Sequence, residues 1–329
     1  MKPHDTIHQG DARAGKFTGD KLRGILLPCT TPFAPGGQDV DARALSGNIA
    51  RWNRTGIDGY VVLGSTGERV HLDERETLEV VNAARAGVPG HLAFVVGVGQ
   101  HGTRGSIAEA RRAAEAGADA VLVITPHFYR AAMTPAALTD YYESIADASP
   151  VPVVLYNIPQ NTGLAVSLDA LARLCRHENI VGIKDSSGDM VNFLEMLRLA
   201  SGEFAVLTGH ASLLYAALSA GASGAILAAG CVAPEVAVGI ARLVERGEHA
   251  GAREWQRRLT PLARAVTTRF GIGGLKYALD LCGYAGGEVR APLSMPDEAA
   301  RREIARTLEE CHPYVETEHE TKLAEGAVK

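Results

Sequence analysis

"EAGADAVLV", residues 115–123, leaves a helix-like stretch through a glycine and enters an unbroken apolar run, and the chain repeats the figure as "RTGIDGYVV" (54–62) and "SAGASGAIL" (219–227). Glycine at that place supplies the left-handed conformation in which helices commonly end. A run of Val, Leu and Ile without polar alternation suits a strand buried on both faces. Runs of the same kind lie at 24–29 (GILLPC), 58–63, 92–98 (LAFVVGV), 119–124, 151–156 (VPVVLY), 180–184 (IVGIK), 204–208 (FAVLT) and 223–228. Between them are stretches with helical spacing and capping residues, such as "DERETLEVVNAARAG" from Asp73, "TRGSIAEARRAAEAG" from Thr103 and "SLDALARLCRHEN" from Ser167.

Eight strands that alternate with helices over roughly 200–250 residues fit a (β/α)8 TIM barrel, an α/β fold, better than an open doubly wound sheet. The barrel is expected over residues 22–248, with a C-terminal helical extension over 249–313. Three helices are expected there, in "AGAREWQRRLTPLARAVTTRF", "GIGGLKYALDLCG" and "MPDEAARREIARTLEECH", packed on the barrel or on a neighbouring subunit. Residues 1–21 and 314–329 read as flexible tails. The 329 residues are 46% hydrophobic with a net charge of −5 and no long basic run, which points to neither nucleic acid nor a membrane surface as partner. The N-terminus has no apolar leader core, and no apolar stretch reaches spanning length. Cys29, Cys175, Cys231, Cys282 and Cys311 are odd in number and scattered, which suits a reducing cytoplasm rather than a disulfide framework.

In such a barrel the reactive groups sit at the C-terminal strand ends. Strand two ends in Gly64-Ser65-Thr66-Gly67-Glu68, strand four in Thr125-Pro126-His127-Phe128-Tyr129, strand five in Tyr156-Asn157, strand six in Lys184 and strand seven in Thr208-Gly209-His210. Lys184 is the telling one, because an ammonium is among the costliest groups to place at a core position. An amine in an apolar mouth loses the solvation of its charged form, and the neutral amine attacks a ketone to give an iminium, which acts as an electron sink. A nearby phenol can shuttle protons, and the hydroxyl and amide donors of "GSTG" can hold a carboxylate, so a 2-oxo acid is the expected substrate. Taken singly, Lys184 reads as a snorkelling strand-end residue beside Asp185, Tyr156 as a core tyrosine and "GSTGE" as a capped turn; their joint placement is what points to chemistry.

"GVGQHG" (97–102) matches a dinucleotide fingerprint, but the next strand lacks the acidic ribose partner, and its glycines read as tight barrel turns. His71, His101, His127 and His210 show no metal-ligand spacing, and neither a metal nor a cofactor is expected.

The stretches "GILLPCTTPF", "GSTGE", "GADAVLVITP", "VPVVLYNIPQNTG" and "NIVGIKDSSGD" resemble the N-acetylneuraminate lyase and dihydrodipicolinate synthase family of class I aldolases over essentially the whole barrel. Within it, "YNIPQNTGL", "IVGIKDSSGD" and "RFGIGGLKYALDLCGYAGGEVRAPL" are most similar to the 4-hydroxy-2-oxoglutarate aldolases. The resemblance implies Lys184 as the Schiff-base residue, Tyr156 as the proton-relay phenol, Ser65 as the relay hydroxyl and Thr66 as the carboxylate clamp. It implies backbone contacts from Gly209 and Ile226, a distal contact from Ser186, and a homotetramer in which an aromatic hydroxyl reaches the neighbour's site. In place of the arginine that dihydrodipicolinate synthases carry before "TG", this chain has Asn161, which cannot form a bidentate ion pair. In place of the acidic residues of sialic acid lyases it has His210, Ala211 and Ser212, and the intersubunit tyrosine position holds Phe128, with Tyr129 next.

The expected reaction is cleavage of a 4-hydroxy-2-oxo acid to pyruvate and an aldehyde, whose distal half Arg69, Arg130, Asn161 or His210 could reach. Condensation of pyruvate with aspartate semialdehyde, dehydration of a 2-oxo-3-deoxy sugar acid, and a non-catalytic sugar-acid-binding barrel are the alternatives.

Overall fold

The computed structural model describes residues 17–37 and 39–312. Its eight strands are β1 (Gly24–Pro28), β2 (Gly59–Val62), β3 (Ala93–Val98), β4 (Ala120–Ile124), β5 (Val153–Asn157), β6 (Ile180–Asp185), β7 (Ala205–Thr208) and β8 (Gly224–Ile226). All pair in parallel with their sequence neighbours, and β8 closes the barrel on β1 with Ile226 opposite Leu26. Each strand coincides with one of the apolar runs, as the (β/α)8 reading requires, with β5 and β6 each reaching one residue beyond theirs, to Asn157 and Asp185.

The runs do not alternate because both strand faces are buried. Leu22, Leu26, Val61, Val95, Leu122, Val154, Tyr156, Leu207 and Ile226 pack inside the barrel. The opposite face of the strands, with Ile25, Leu27, Val62, Val96, Val123, Leu155 and Val206, packs under the helices. Those helices are α1 (Ala42–Trp52), α2 (Glu74–Gly87), α3 (Thr103–Glu115), α4 (Pro135–Ala148), α5 (Leu168–Leu174), α6 (Met190–Leu199), α7 (Leu214–Ser219) and α8 (Pro234–Glu245). Local sequence sets where they start: Asp73 and Glu76 form a reciprocal capping box on α2, and the Ser167 hydroxyl accepts from Ala170 N–H at α5.

One irregularity decides the site. Between β5 and β6 the register slips, so that Ile180 and Gly182 pair with the consecutive residues Val153 and Val154 and Val181 is an extra residue. Val181 faces the interior, yet Ile183 lies in the outer layer. Strict alternation from Val181 would send Lys184 outward; the extra residue reverses the parity and turns it into the barrel mouth.

The expected N-terminal tail is corrected at its end: residues 1–16 lie outside the described residues, but Gly19–Leu22 form a 3-10 turn. Leu22 is fully buried and Phe17 packs beside it on the interior cluster, so apolar burial at the barrel floor orders this segment. The extension comprises α9 (His249–Arg264), a π-helical turn over Ala265–Arg269, α10 (Gly271–Leu281) and α11 (Glu298–Cys311). Its Leu259, Leu262, Leu275, Leu279 and Ile304 join the outer core of the barrel. The proposed tail 314–329 lies outside the described residues, within which no helix is long and apolar enough to cross a membrane.

Candidate active site

Tyr156 and Lys184 are direct register partners on β5 and β6, so both side chains enter the barrel mouth side by side. Lys184 is 5% exposed and Tyr156 4%, and the Lys184 Nζ lies 4.4 Å from the centroid of the Tyr156 ring. The Tyr156 hydroxyl is 3.3 Å from Ser65 Oγ, which makes a phenol–hydroxyl pair that can pass a proton. Gly209 lies against them: a β-carbon there would collide with Ser186 Oγ and Lys184 Cε, so only glycine leaves room for both side chains.

The strand-end neighbours that face outward hold this pair in place. Asn157 donates to Asp185 Oδ1 at 2.6 Å, Ser187 Oγ donates to Asp185 Oδ2 at 2.7 Å, and Ser186 N–H donates to Asn157 O at 2.8 Å. Burial pushes the Asp185 carboxyl above its ordinary range, against the lowering effect of those donors. His210, half-buried, is held below the ordinary histidine range by burial, which outweighs the nearby Asp185.

The Ser65–Gly67 turn is bracketed by two non-glycine residues in the left-handed region, Leu63 (φ 58) and Glu68 (φ 53). Such conformations cost about 1–3 kcal/mol each and persist only where the surroundings over-determine them. Here the surroundings are explicit. Thr31 Oγ1 donates to Gly67 O at 2.7 Å. The buried Glu68 carboxylate meets Lys276 Nζ at 2.6 Å and accepts from Arg290 N–H at 3.1 Å. Lys276, on α10, is 0% exposed; it also donates to Glu288 O at 2.6 Å and lies 4.3 Å over the Phe33 ring. Burial pulls the Lys276 ammonium below its ordinary range, and the Glu68 charge opposes that pull. Arg290 in turn grips Glu76 through both guanidinium nitrogens, which holds the Glu76 carboxyl down to about 2.

Ser65, Thr66, Tyr156, Asn161, Lys184, Ser186, Gly209 and Ile226 all line one cavity of about 580 Å³, as the sequence reading grouped them. A second chamber of about 620 Å³ continues past Ser65, Tyr156 and Asn161 toward Arg69, His101 and His127. Tyr129 is not brought in: it is 70% exposed and stacks edge-on against Phe128, which is equally exposed. Of the candidates for the distal half of the substrate, Arg69 is committed elsewhere, donating to Glu109 and Gly99 O. Arg130 lies against the Gly163 turn, while His210 and Asn161 border the cavity. Two of the fingerprint-like glycines serve packing, since a β-carbon on Gly97 would strike the Leu63 carbonyl and one on Gly99 would meet Ile124, whereas one on Gly102 would meet nothing.

Sequence reasoning missed two things. The extension walls the site, with Val266, Thr267, Thr268, Gly271 and Ile272 lining the cavity. It also missed Lys276, whose signal was present: a lysine inside "GIGGLKYALDL" is as anomalous as one ending an apolar strand.

Comparisons with known proteins place the chain in a family. The model of the dihydrodipicolinate synthetase family matches residues 21–311. The 4-hydroxy-tetrahydrodipicolinate synthase of Methanothrix thermoacetophila is 35% identical over 289 residues, covering 86% of this chain and 96% of that protein. The solved structure of the corresponding synthase from Methylacidiphilum fumariolicum SolV superposes with a TM-score of 0.85 at 29% identity, covering 90% of this chain and 98% of that one. YagE, a prophage protein of the dihydrodipicolinic acid synthase family from E. coli K12 solved with pyruvate, superposes at 0.82 with 30% identity, covering 88% and 98%. The chain belongs to the dihydrodipicolinate synthetase family, and with it to the class I, Schiff-base-forming aldolases and lyases.

Proposed function

We propose that this member of the dihydrodipicolinate synthetase family is a pyruvate-dependent lyase that cleaves a 4-hydroxy-2-oxo acid, such as 4-hydroxy-2-oxoglutarate, to pyruvate and an aldehyde. The carrying observation is the placement of Lys184 Nζ over the Tyr156 ring, with the phenol 3.3 Å from Ser65 Oγ. The Lys184 amine adds to the C2 ketone and loses water to form the iminium. The Tyr156 oxygen, relayed through Ser65, takes the proton of the 4-hydroxyl as the C3–C4 bond breaks. Its electrons pass into the iminium, leaving an enamine, and the aldehyde departs. Protonation at C3 and hydrolysis return pyruvate and the free lysine. Thr66 and the amides of its turn hold the C1 carboxylate, Gly209 and Ile226 border C2 and C3 through their backbones, and Ser186 meets the distal half.

The names of the relatives favour a second reading, condensation of pyruvate with aspartate semialdehyde, more than they favour retro-aldol cleavage. Against it stands Asn161 on the cavity wall, a neutral side chain where the resemblance would put an arginine for the second carboxylate. Two assays decide. The retro-aldol reading expects pyruvate and glyoxylate from 4-hydroxy-2-oxoglutarate and no cyclic product from pyruvate with aspartate semialdehyde; the opposite pattern assigns the synthase. A dehydrated oxo acid formed from a 2-oxo-3-deoxy sugar acid, without free aldehyde, would assign the dehydratase. The resemblance also supports a homotetramer in the cytoplasm, and the exposed Phe128 and Tyr129 offer its aromatic contact.

A further inference from the structure

We propose that Lys276 and Glu68 are positioning residues, a buried ion pair through which the C-terminal extension holds the Ser65–Thr66 turn in its substrate-gripping form. The inference rests on the reading of that turn as the carboxylate clamp. Glu68 directly follows the turn and sits in the left-handed region, a conformation that a non-glycine residue keeps only under constraint. Its buried carboxylate borders the second chamber and joins a polar cluster: Lys276 Nζ at 2.6 Å, Arg290 N–H at 3.1 Å and His71 Nδ1 at 3.3 Å. Lys276 is wholly buried and fixed on its far side by the Glu288 carbonyl and the Phe33 ring. A buried ion pair is a poor way to gain stability, because apolar residues of the same volume do as well or better. What this pair supplies is geometry, since it ties the residue after the Ser65–Gly67 turn to α10, whose first residues Gly271 and Ile272 wall the cavity that holds Lys184.

The test is the pyruvate concentration that gives half-maximal borohydride trapping, a readout independent of the second substrate. Glu68→Gln and Lys276→Met should each raise that concentration by about tenfold to a hundredfold, the scale of an ångström-sized misplacement. Trapping at saturating pyruvate should still reach the wild-type yield, and Lys276→Arg should restore much of the affinity. A half-trapping concentration within about twofold of wild type in both single variants, whatever their melting temperatures, overturns the proposal. If the single variants do not fold for want of a counter-charge, the double variant Glu68→Gln/Lys276→Met, which buries no charge, is read by the same criterion. Absence of trapping in the wild type would remove the Schiff-base reading and this proposal with it, whereas normal wild-type trapping with unchanged variants removes the proposal alone.

Discussion

At the scale of single residues, the site is a problem of crowding as much as of chemistry. Gly209 is where Lys184 Cε and Ser186 Oγ share space, so Gly209→Ala should lower kcat/KM by more than about tenfold, through a displaced amine. A normal rate in a folded Gly209→Ala enzyme would show that the amine has slack. Tyr156→Phe removes one hydroxyl and its contact to Ser65, at a cost to stability of about 1 kcal/mol, yet should lower kcat by about 10²- to 10⁴-fold. Steady-state rates beside a thermal melt separate the two effects. The site was legible to the extent that its residues were costly where they stood: an ammonium ending an apolar run can be found by eye. Glu68 was quoted but given no role, because the reason for its burial lies 208 residues later in Lys276, and no local pattern joins them.

At the scale of elements, the eight strands were readable because each is short, apolar and punctuated by glycine or a cap. The slip at Val181 was not, because nothing in "NIVGIKDSSG" distinguishes an extra residue from an ordinary one, and its effect on Lys184 shows only in the pairing with β5. Glu76 links two elements, closing the capping box of α2 and accepting both guanidinium nitrogens of Arg290. Its folded-state pKa is lowered to about 2, so the unfolded chain binds the proton more readily. That contribution to stability is fully present above the ordinary carboxylate range and is lost as pH falls from that range toward about 2. Denaturant midpoints measured across this acid limb should drop in the wild type and run flatter in Glu76→Gln. Equal slopes would mean that the ion pair is not formed in solution.

At the scale of the whole molecule, barrel and extension are one body because they share one outer core: Leu262, Leu279 and Ile304 pack in the same cluster as Ile25 and Val62. The two tryptophans report on the two parts, Trp52 buried on α1 and Trp255 on α9 lying against Gly239 of α8. In Trp52→Phe and Trp255→Phe, the fluorescence melt of the remaining tryptophan should superimpose on the far-UV circular dichroism melt. Separate midpoints would divide the chain into two units. Composition and periodicity foretold helices after the barrel but not their place over the mouth, since a helix's apolar stripe says that it packs and not on what. The central claim is that the amine of Lys184 is the one that meets the ketone. Its most direct measurement is borohydride reduction in the presence of pyruvate, followed by intact-mass analysis and peptide mapping. One reduced pyruvyl adduct per chain is expected, carried by the peptide that contains Lys184; an unmodified chain, or an adduct mapped to another lysine, would contradict that assignment.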